Sequence, residues 1–279
     1  MGLALLRGVI LENERNSKIE LVDINKIFKA RRQTVYAAKD INIHVKQGEF
    51  VSLLGPSGCG KSTIIRMIAD IIKPSSGQIF VDGEEITKFK RIPKDINRKI
   101  GFIFQMPNLF PWLTVRENVK LPLTVYNVKN EESENYVDEL IDMVGMHNVK
   151  DAYPFEISGG AVQMIGVIRA LVHKPEILLM DEPFGVLDAA TRESLDLELL
   201  SIWKKMKKTI IFITHNVNEA VLLSDRVYVM GTNPGRILEN ITIDLERPRS
   251  LDMLETDEFV EYCELLTNHI GKLDLSKIV

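Results

Sequence analysis

Cysteine is nearly missing from this sequence: Cys59 and Cys263 are the two among 279 residues. That count excludes a disulfide framework and suits a reducing compartment such as the cytoplasm. Also missing is any apolar run near the ~20 residues a membrane-crossing helix needs. Work at a membrane is therefore expected to go through a partner subunit. Residues 1–10 are apolar but broken by Arg7, with neither a basic leader nor a small-residue cleavage site, so they are not read as a signal peptide. There is no basic excess either. With 35 Lys+Arg against 39 Asp+Glu the net charge is −4, which argues against a nucleic-acid partner. Internal repeats and low-complexity segments are lacking as well. What is present is ordinary globular material, 45% hydrophobic and 27% charged, in a chain long enough for one large domain with an inserted lobe.

The apolar pattern changes twice along the chain. Residues 19–22, 41–45 and 49–54 read as strands, with a glycine-rich turn after the last. Ile64, Ile65, Ile68, Ile71 and Ile72 then recur at helical spacing until Pro74-Ser75-Ser76-Gly77 ends the helix. Residues 114–171 are mostly helical. There Val137, Leu140, Ile141 and Val144 form a stripe, and Glu131, Glu132 and Glu134 lie where a helix dipole favours acids. Strands return at 177–180, 209–214 and 226–230, alternating with helices, so a mostly parallel sheet covered by helices is expected. The tail from about 246 reads as helical, with Leu254, Val260, Leu265 and Leu266 available for packing on the core.

Gly55-Pro56-Ser57-Gly58-Cys59-Gly60-Lys61-Ser62 matches G-x-x-x-x-G-K-[ST] in full, and Thr63 follows. Glycines let the backbone wrap phosphate oxygens so that successive N–H groups point inward, and the helix starting near Lys61 adds its positive end. In this pattern Lys61 reaches the β- and γ-phosphates and Ser62 offers its hydroxyl to Mg²⁺. A ligand-free glycine turn is the bland alternative; the strand before it and the amphipathic helix after it disfavour that.

Residues 177–180 form a buried strand that runs into Asp181 and Glu182, at the strand end where open α/β sheets bind ligands. Asp181 is expected to hold Mg²⁺ and Glu182 to polarise the attacking water. Simple helix capping would explain these acids if they stood alone. His215 ends the strand at 209–214 and is a candidate γ-phosphate sensor, although a lone histidine is more often a satisfied polar group. Gln105, at the end of a strand-like stretch, is placed to approach Mg²⁺ and the attacking water in the same way.

Phosphate loops also serve kinases, GTPases and motors, so the discriminating element lies elsewhere. Ile157-Ser158-Gly159-Gly160 is followed by Arg169-Ala170-Leu171 and, about ten residues on, by the acidic strand end. A serine hydroxyl and glycine backbones at a helix start suit a second anion site. The stretch resembles the Leu-Ser-Gly-Gly-Gln signature of ATP-binding cassette ATPases, and the resemblance spans residues 19–244 in order. It implies an α/β phosphate-loop NTPase with a RecA-like parallel-sheet core, an N-terminal antiparallel β subdomain and an inserted helical subdomain. It also implies that Ser158, Gly159 and Gly160 complete the ATP site of a second copy of the chain, in a head-to-tail dimer around two ATP molecules. Phe28 matches the adenine-stacking aromatic, with Tyr36 as the alternative. Gln105 matches the Q-loop glutamine, Leu187-Asp188 the D-loop that faces the nucleotide, and His215 the switch histidine.

Leu109-Phe110-Pro111-Trp112-Leu113-Thr114-Val115 is similar to a stretch of the branch that imports nitrate, aliphatic sulfonates and taurine, as are Asn233-Pro234-Gly235-Arg236-Ile237 and Arg247-Pro248-Arg249. Membership of that branch implies integral-membrane permease subunits, an extracytoplasmic substrate-binding protein, and a peripheral place on the cytoplasmic face of the membrane. The expected division is an extension at 1–18, a nucleotide-binding domain at 19–245 with the helical subdomain at about 106–168, and a helical tail at 246–279. The resemblance departs at Ala161-Val162-Gln163-Met164, where Met164 replaces a common arginine, and at Gly166, which weakens a helix by ~1 kcal/mol relative to alanine. These changes bear on how the signature helix is held; Ser158, Gly159 and Gly160 remain, so activity is expected, if at a reduced rate. A soluble cassette, a non-hydrolysing scaffold and an exporter are the competing readings. The lack of a second cassette, the intact Lys61, Glu182 and His215, and the lack of membrane helices argue against them in turn.

Overall fold

Apolar, β-branched sequence next to short polar turns builds most of the framework in the computed structural model, which describes residues 17–30 and 33–275. Two long strands, β1 (Ser17–Ala30) and β2 (Gln33–Lys46), pair antiparallel, with several bulges that bend the ribbon. β3 (Phe50–Leu54) is buried at every position and leads through the glycine loop into α1 (Lys61–Ile68). β4 (Ser76–Val81), β5 (Glu84–Glu85), α2 (Lys94–Arg98) and β6 (Ile100–Ile103) follow. The helical lobe holds α3 (Val115–Val125), α4 (Glu131–Met143) and α5 (Gly159–Leu171). The chain then runs through β7 (Ile177–Asp181), α6 (Ala189–Met206), β8 (Thr209–Thr214), α7 (Val217–Leu223), β9 (Arg226–Gly231), β10 (Arg236–Thr242) and α8 (Asp257–Leu275).

These strands make two sheets. The smaller is antiparallel in the order β2-β1-β4-β5, and the larger runs β10-β9-β3-β8-β7-β6, parallel except for β10. In the larger sheet β3, β7 and β8 are buried at every position, which is why they read as largely apolar runs, whereas the edge strand β10 is mostly exposed. On β3 the alternation sorts side chains into two cores: Phe50 and Leu54 join the core shared with the helices, while Val51 and Leu53 join the core under the smaller sheet and α1.

Helix starts follow their caps. Thr114 and Glu117 form a reciprocal capping box at α3, with bonds of 3.2 and 2.8 Å, and Asn130 with Ser133 does the same at α4. Val137, Leu140, Ile141 and Val144 are buried, as their spacing implied. α1 ends at Ile68, sooner than its isoleucine spacing suggested, and Ile71 is half exposed.

The tail differs from its expected packing. Leu266 is buried, but Val260 and Leu265 face solvent, and Phe259, 2% exposed, is the large anchor the helical pattern missed. α8 lies on α7 and β9. The Arg247-Pro248-Arg249 stretch straps this region. Arg247 binds Asp225 at 2.7 Å and stacks over Trp203, while buried Arg249 donates to the carbonyls of Val221, Leu222 and Ser224 at the end of α7 and to Ile243 and Leu245. Residues 1–10, the bulk of the expected N-terminal extension and the last four residues of the tail lie outside the described residues.

Candidate active site

The loop between β3 and α1 is shaped by close approach. A Cβ on Gly60, whose φ is 101°, would lie 2.2 Å from the Ala37 carbonyl oxygen; one on Gly55 would lie 2.6 Å from that of Met230. Between them Pro56, Ser57, Gly58 and Cys59 turn the chain, with Ser57 and Gly58 exposed and Cys59 buried. Burial pushes the Cys59 thiol above its ordinary range, against the opposing pull of Lys61. Thr63 is half-buried on the first turn of α1.

Lys61 is 4% exposed. Its Nζ donates to the carbonyls of Gly55 at 2.6 Å and Pro56 at 3.1 Å and lies 3.7 Å from Glu182 Oε1. Ser62 Oγ donates to Asp181 Oδ1 at 2.6 Å, and Arg66, which the motif did not flag, reaches Asp181 Oδ2 at 3.2 Å. Asp181 is the last residue of β7. Glu182 turns away from it with φ at 46°, a conformation that costs a non-glycine residue about 1 kcal/mol or more. That turn aims the carboxylate at His215, whose Nδ1 is 3.2 Å from Glu182 Oε2. Lys61, Ser62, Asp181, Glu182 and His215, from three separate stretches of sequence, thus meet at the carboxyl ends of β3, β7 and β8. Ser62 and Asp181 offer two hard oxygen donors side by side, a set that fits Mg²⁺.

The remaining candidates are not bonded into this group. Gln105 is exposed just past β6, and its carbonyl is held by Gln163 Nε2 at 3.3 Å. Phe28 is 44% exposed, beneath Lys26 Nζ at 4.9 Å, and Tyr36 is 53% exposed beside Ala37 at the loop. Ser158 caps α5 by accepting from Ala161 N at 3.2 Å, with Gly159 exposed beside it. Asp188 caps α6, with both carboxylate oxygens on Thr191 at 3.0 and 2.7 Å. A Cβ on Gly160 would lie 3.1 Å from Thr191, so the starts of α5 and α6 form a second cluster.

The unusual signature helix has a packing explanation. Met164 is fully buried in the larger core. A Cβ on Gly166 would sit 2.8 Å from the Pro107 ring, so glycine lets α5 lie against the segment after Gln105. Arg169 fastens the same segment through the carbonyls of Pro107 and Asn108. Sequence reasoning missed Arg66 and gave Gly235 no part in shaping the loop. Gly235 abuts the carbonyls of Ala37 and Cys59, where a Cβ would lie 2.3 Å from each. Its neighbourhood had been noticed only as a branch resemblance.

A family model described as ABC transporter matches residues 38–185. The chain is 40% identical over 256 residues to the nitrate import ATP-binding protein NrtD of a Synechocystis species, covering 90% of this chain and 94% of that one. It is 42% identical over 232 residues to the aliphatic sulfonates import ATP-binding protein SsuB of Bacillus cereus, covering 83% and 88%. Its structure matches a dimeric ATP-binding cassette, MJ0796, in a post-hydrolysis state bound to ADP and Pi, with a TM-score of 0.72 and 32% identity over 82% of this chain and all of that one.

Proposed function

The chain belongs to the ABC transporter family as an ATP-binding cassette ATPase, and from that premise we propose that it powers uptake of a small solute through a separate membrane permease. The observation that carries the mechanism is the convergence of three contacts: Ser62 on Asp181 at 2.6 Å, His215 on Glu182 at 3.2 Å, and the Lys61–Glu182 ion pair at 3.7 Å. In this reading Lys61 leaves the loop carbonyls for the β- and γ-phosphates, and the N–H groups of residues 55–63 wrap the same oxygens. Ser62 and Asp181 hold Mg²⁺, with Gln105 approaching from β6. Bound there, Mg²⁺ neutralises charge on the phosphate oxygens. Glu182 accepts a proton from the attacking water, and His215 orients Glu182 and contacts the γ-phosphate. Phe28 stacks on adenine.

Ser158 and Gly159 are exposed at the start of α5 and make no hydrogen bond to their own chain's phosphate loop. That arrangement supports a site completed by a second copy, head to tail, with two ATP molecules at the interface and Asp188 beside them. Closing and reopening of this dimer is the power stroke.

A groove of about 450 Å³ between the sheet edge and the lobe is lined by Ile71, Phe102, Phe104, Leu121, Pro122 and Val125. Its exposed apolar rim supports a permease docking there, which puts the chain on the cytoplasmic face of the membrane. Among the described residues no helix is long and apolar enough to cross a membrane. Relatives named for nitrate and aliphatic sulfonates support a small oxyanion or related solute such as taurine as cargo, delivered by an extracytoplasmic binding protein.

The test is steady-state ATP hydrolysis by the full chain against Glu182→Gln, with self-association followed with and without ATP and Mg²⁺. Turnover lost in the variant, together with an ATP-dependent variant dimer, is the expected result. ATP binding with no self-association in either protein would overturn the composite site.

A further inference from the structure

Behind Glu182, on the side away from the phosphate loop, lies a buried charge cluster to which the proposed chemistry gives no task. Arg192, one turn into α6, sends Nη2 to the Leu187 carbonyl at 2.6 Å and Nε to that of Phe184 at 3.4 Å, both in the loop that joins Glu182 to Asp188. The same Nε lies 3.5 Å from Glu219 Oε1. Glu219 is 6% exposed, sits on α7 four residues after His215, and accepts from the hydroxyl of Thr214, the residue before His215. Thr214 Oγ1 in turn accepts from Asn216 N at 2.8 Å. A cavity of about 10 Å³ lies between the two carboxylates, walled by Glu182, Gly185, Arg192, Thr214, His215 and Glu219. That volume is at the lower bound for a single water.

We propose that Arg192 and Glu219 are positioning residues: a strut that ties the Glu182–Asp188 loop to the Thr214–His215 strand end and transmits closure of the second copy to Glu182. The proposal rests on the composite-site reading above. Three observations favour a strut over a merely stabilising ion pair. A buried pair contributes little net stability unless its remaining donors are satisfied, and here the guanidinium's other bonds go to the carbonyls of one catalytic loop. Arg192 N bonds the Asp188 carbonyl at 3.0 Å, so displacement of Asp188 by a partner displaces Arg192 directly. Glu219 holds the hydroxyl of Thr214, the neighbour of His215 in the chain, and shares with Glu182 the walls of a cavity with room for one water. Asp196, one turn further along α6 and 1% exposed, has its carboxyl raised by burial and by Glu219, and burial also raises Glu219 against the pull of the Thr214 hydroxyl and Arg192. His215 and Glu182 also act on Glu219, and Glu193, on the same helix, acts on Asp196.

The experiment compares full-length wild type with Arg192→Ala, Arg192→Lys, Glu219→Gln and the double variant Arg192→Ala/Glu219→Gln. Steady-state kcat and KM for ATP are measured, along with ATP-dependent self-association of each change in a Glu182→Gln background. A displaced base costs about 10- to 100-fold in kcat, so each single variant is expected to fall in that range with KM within about twofold. The double variant falls no further than the worse single one by more than about twofold, because both remove one strut. Arg192→Lys, which keeps the charge without the fork, lies between, and carries the test if Arg192→Ala fails to fold. Self-association persists throughout. Wild-type turnover with variants that match it, or with independent losses that multiply in the double variant, overturns the strut alone. Loss of self-association together with kcat assigns the pair to the dimer surface and overturns it as well. A wild-type chain that neither associates nor hydrolyses ATP overturns the composite-site reading first, and the strut with it.

Discussion

Ser62 and Asp181 share a 2.6 Å hydrogen bond across 119 residues of sequence, joining the phosphate loop to the end of β7. In the proposed mechanism, two oxygens held this close by separate elements would supply protein ligands to a hard cation. Ser62→Ala is expected to raise the Mg²⁺ concentration needed for half-maximal turnover by about 10- to 100-fold, as loss of a metal-site partner commonly does. A Mg²⁺ titration of ATPase rate checks this, and an unchanged midpoint would remove Ser62 from the site.

Gly166→Ala sets helix propensity against packing. Propensity alone predicts a gain of ~1 kcal/mol, but the new methyl would meet the Pro107 ring at 2.8 Å. Overpacking against a rigid ring is expected to win, for a net loss of roughly 1–2 kcal/mol. Chemical denaturation of the two proteins decides the sign.

His173, 7% exposed against Tyr126, has its imidazole held by burial down to about 4, from an ordinary value of 6.5. The unfolded chain therefore takes up this proton first as the medium is acidified. The contribution is fully present above about 6.5 and is lost as pH falls toward about 4, by up to roughly 3 kcal/mol. His173→Leu should flatten stability across that window. Equal slopes in wild type and variant, from denaturation at several pH values, would exclude His173 as the source.

Asp196 gives the opposite slope. Its folded pKa is raised by burial and by the charge of Glu219, so the folded chain keeps a proton that the unfolded chain releases. Its contribution is intact below the ordinary carboxylate range and declines as pH rises above it. Asp196→Asn is expected to stabilise the protein by roughly 1–3 kcal/mol at pH 8 and to change little at pH 4. Thermal melts at the two pH values test the crossing.

Phe259→Ala tests whether the tail belongs to the core. Truncating this ring, 2% exposed, should cost about 3–5 kcal/mol, whereas Val260→Ala, at an exposed position, should cost well under 1.

The phosphate loop and the acidic strand end were legible because each is a contiguous motif whose neighbours have one strong period. Phe50 to Leu54 could be read as a buried strand, and Lys61 with Ser62 needed only local spacing. Arg192 and Glu219 were not legible, because each is an ordinary charged residue on a helix until the fold sets it 3.5 Å from the other. Gly166 was read by propensity, the one local measure available, while its reason lies 59 residues earlier at Pro107. Phe259 lost to Val260 and Leu265 because a helix with apolar residues on several sides does not declare its buried face until its neighbours, α7 and β9, are in place.

The strand order also sets a schedule for making the protein. β3 carries the phosphate loop but pairs with β8 and β9, Phe50 lying beside Ile210 and Val51 beside Arg226. The nascent segment from 50 to 54 is apolar except for Ser52 and has no sheet neighbour within the first 200 residues to emerge. At roughly 5–20 residues per second, ribosomes leave it waiting for about 8–30 seconds. Over that interval its pairing edges have no native partner. A chaperone dependence that ends once residues 209–231 have been synthesised is the expected cellular counterpart of that topology.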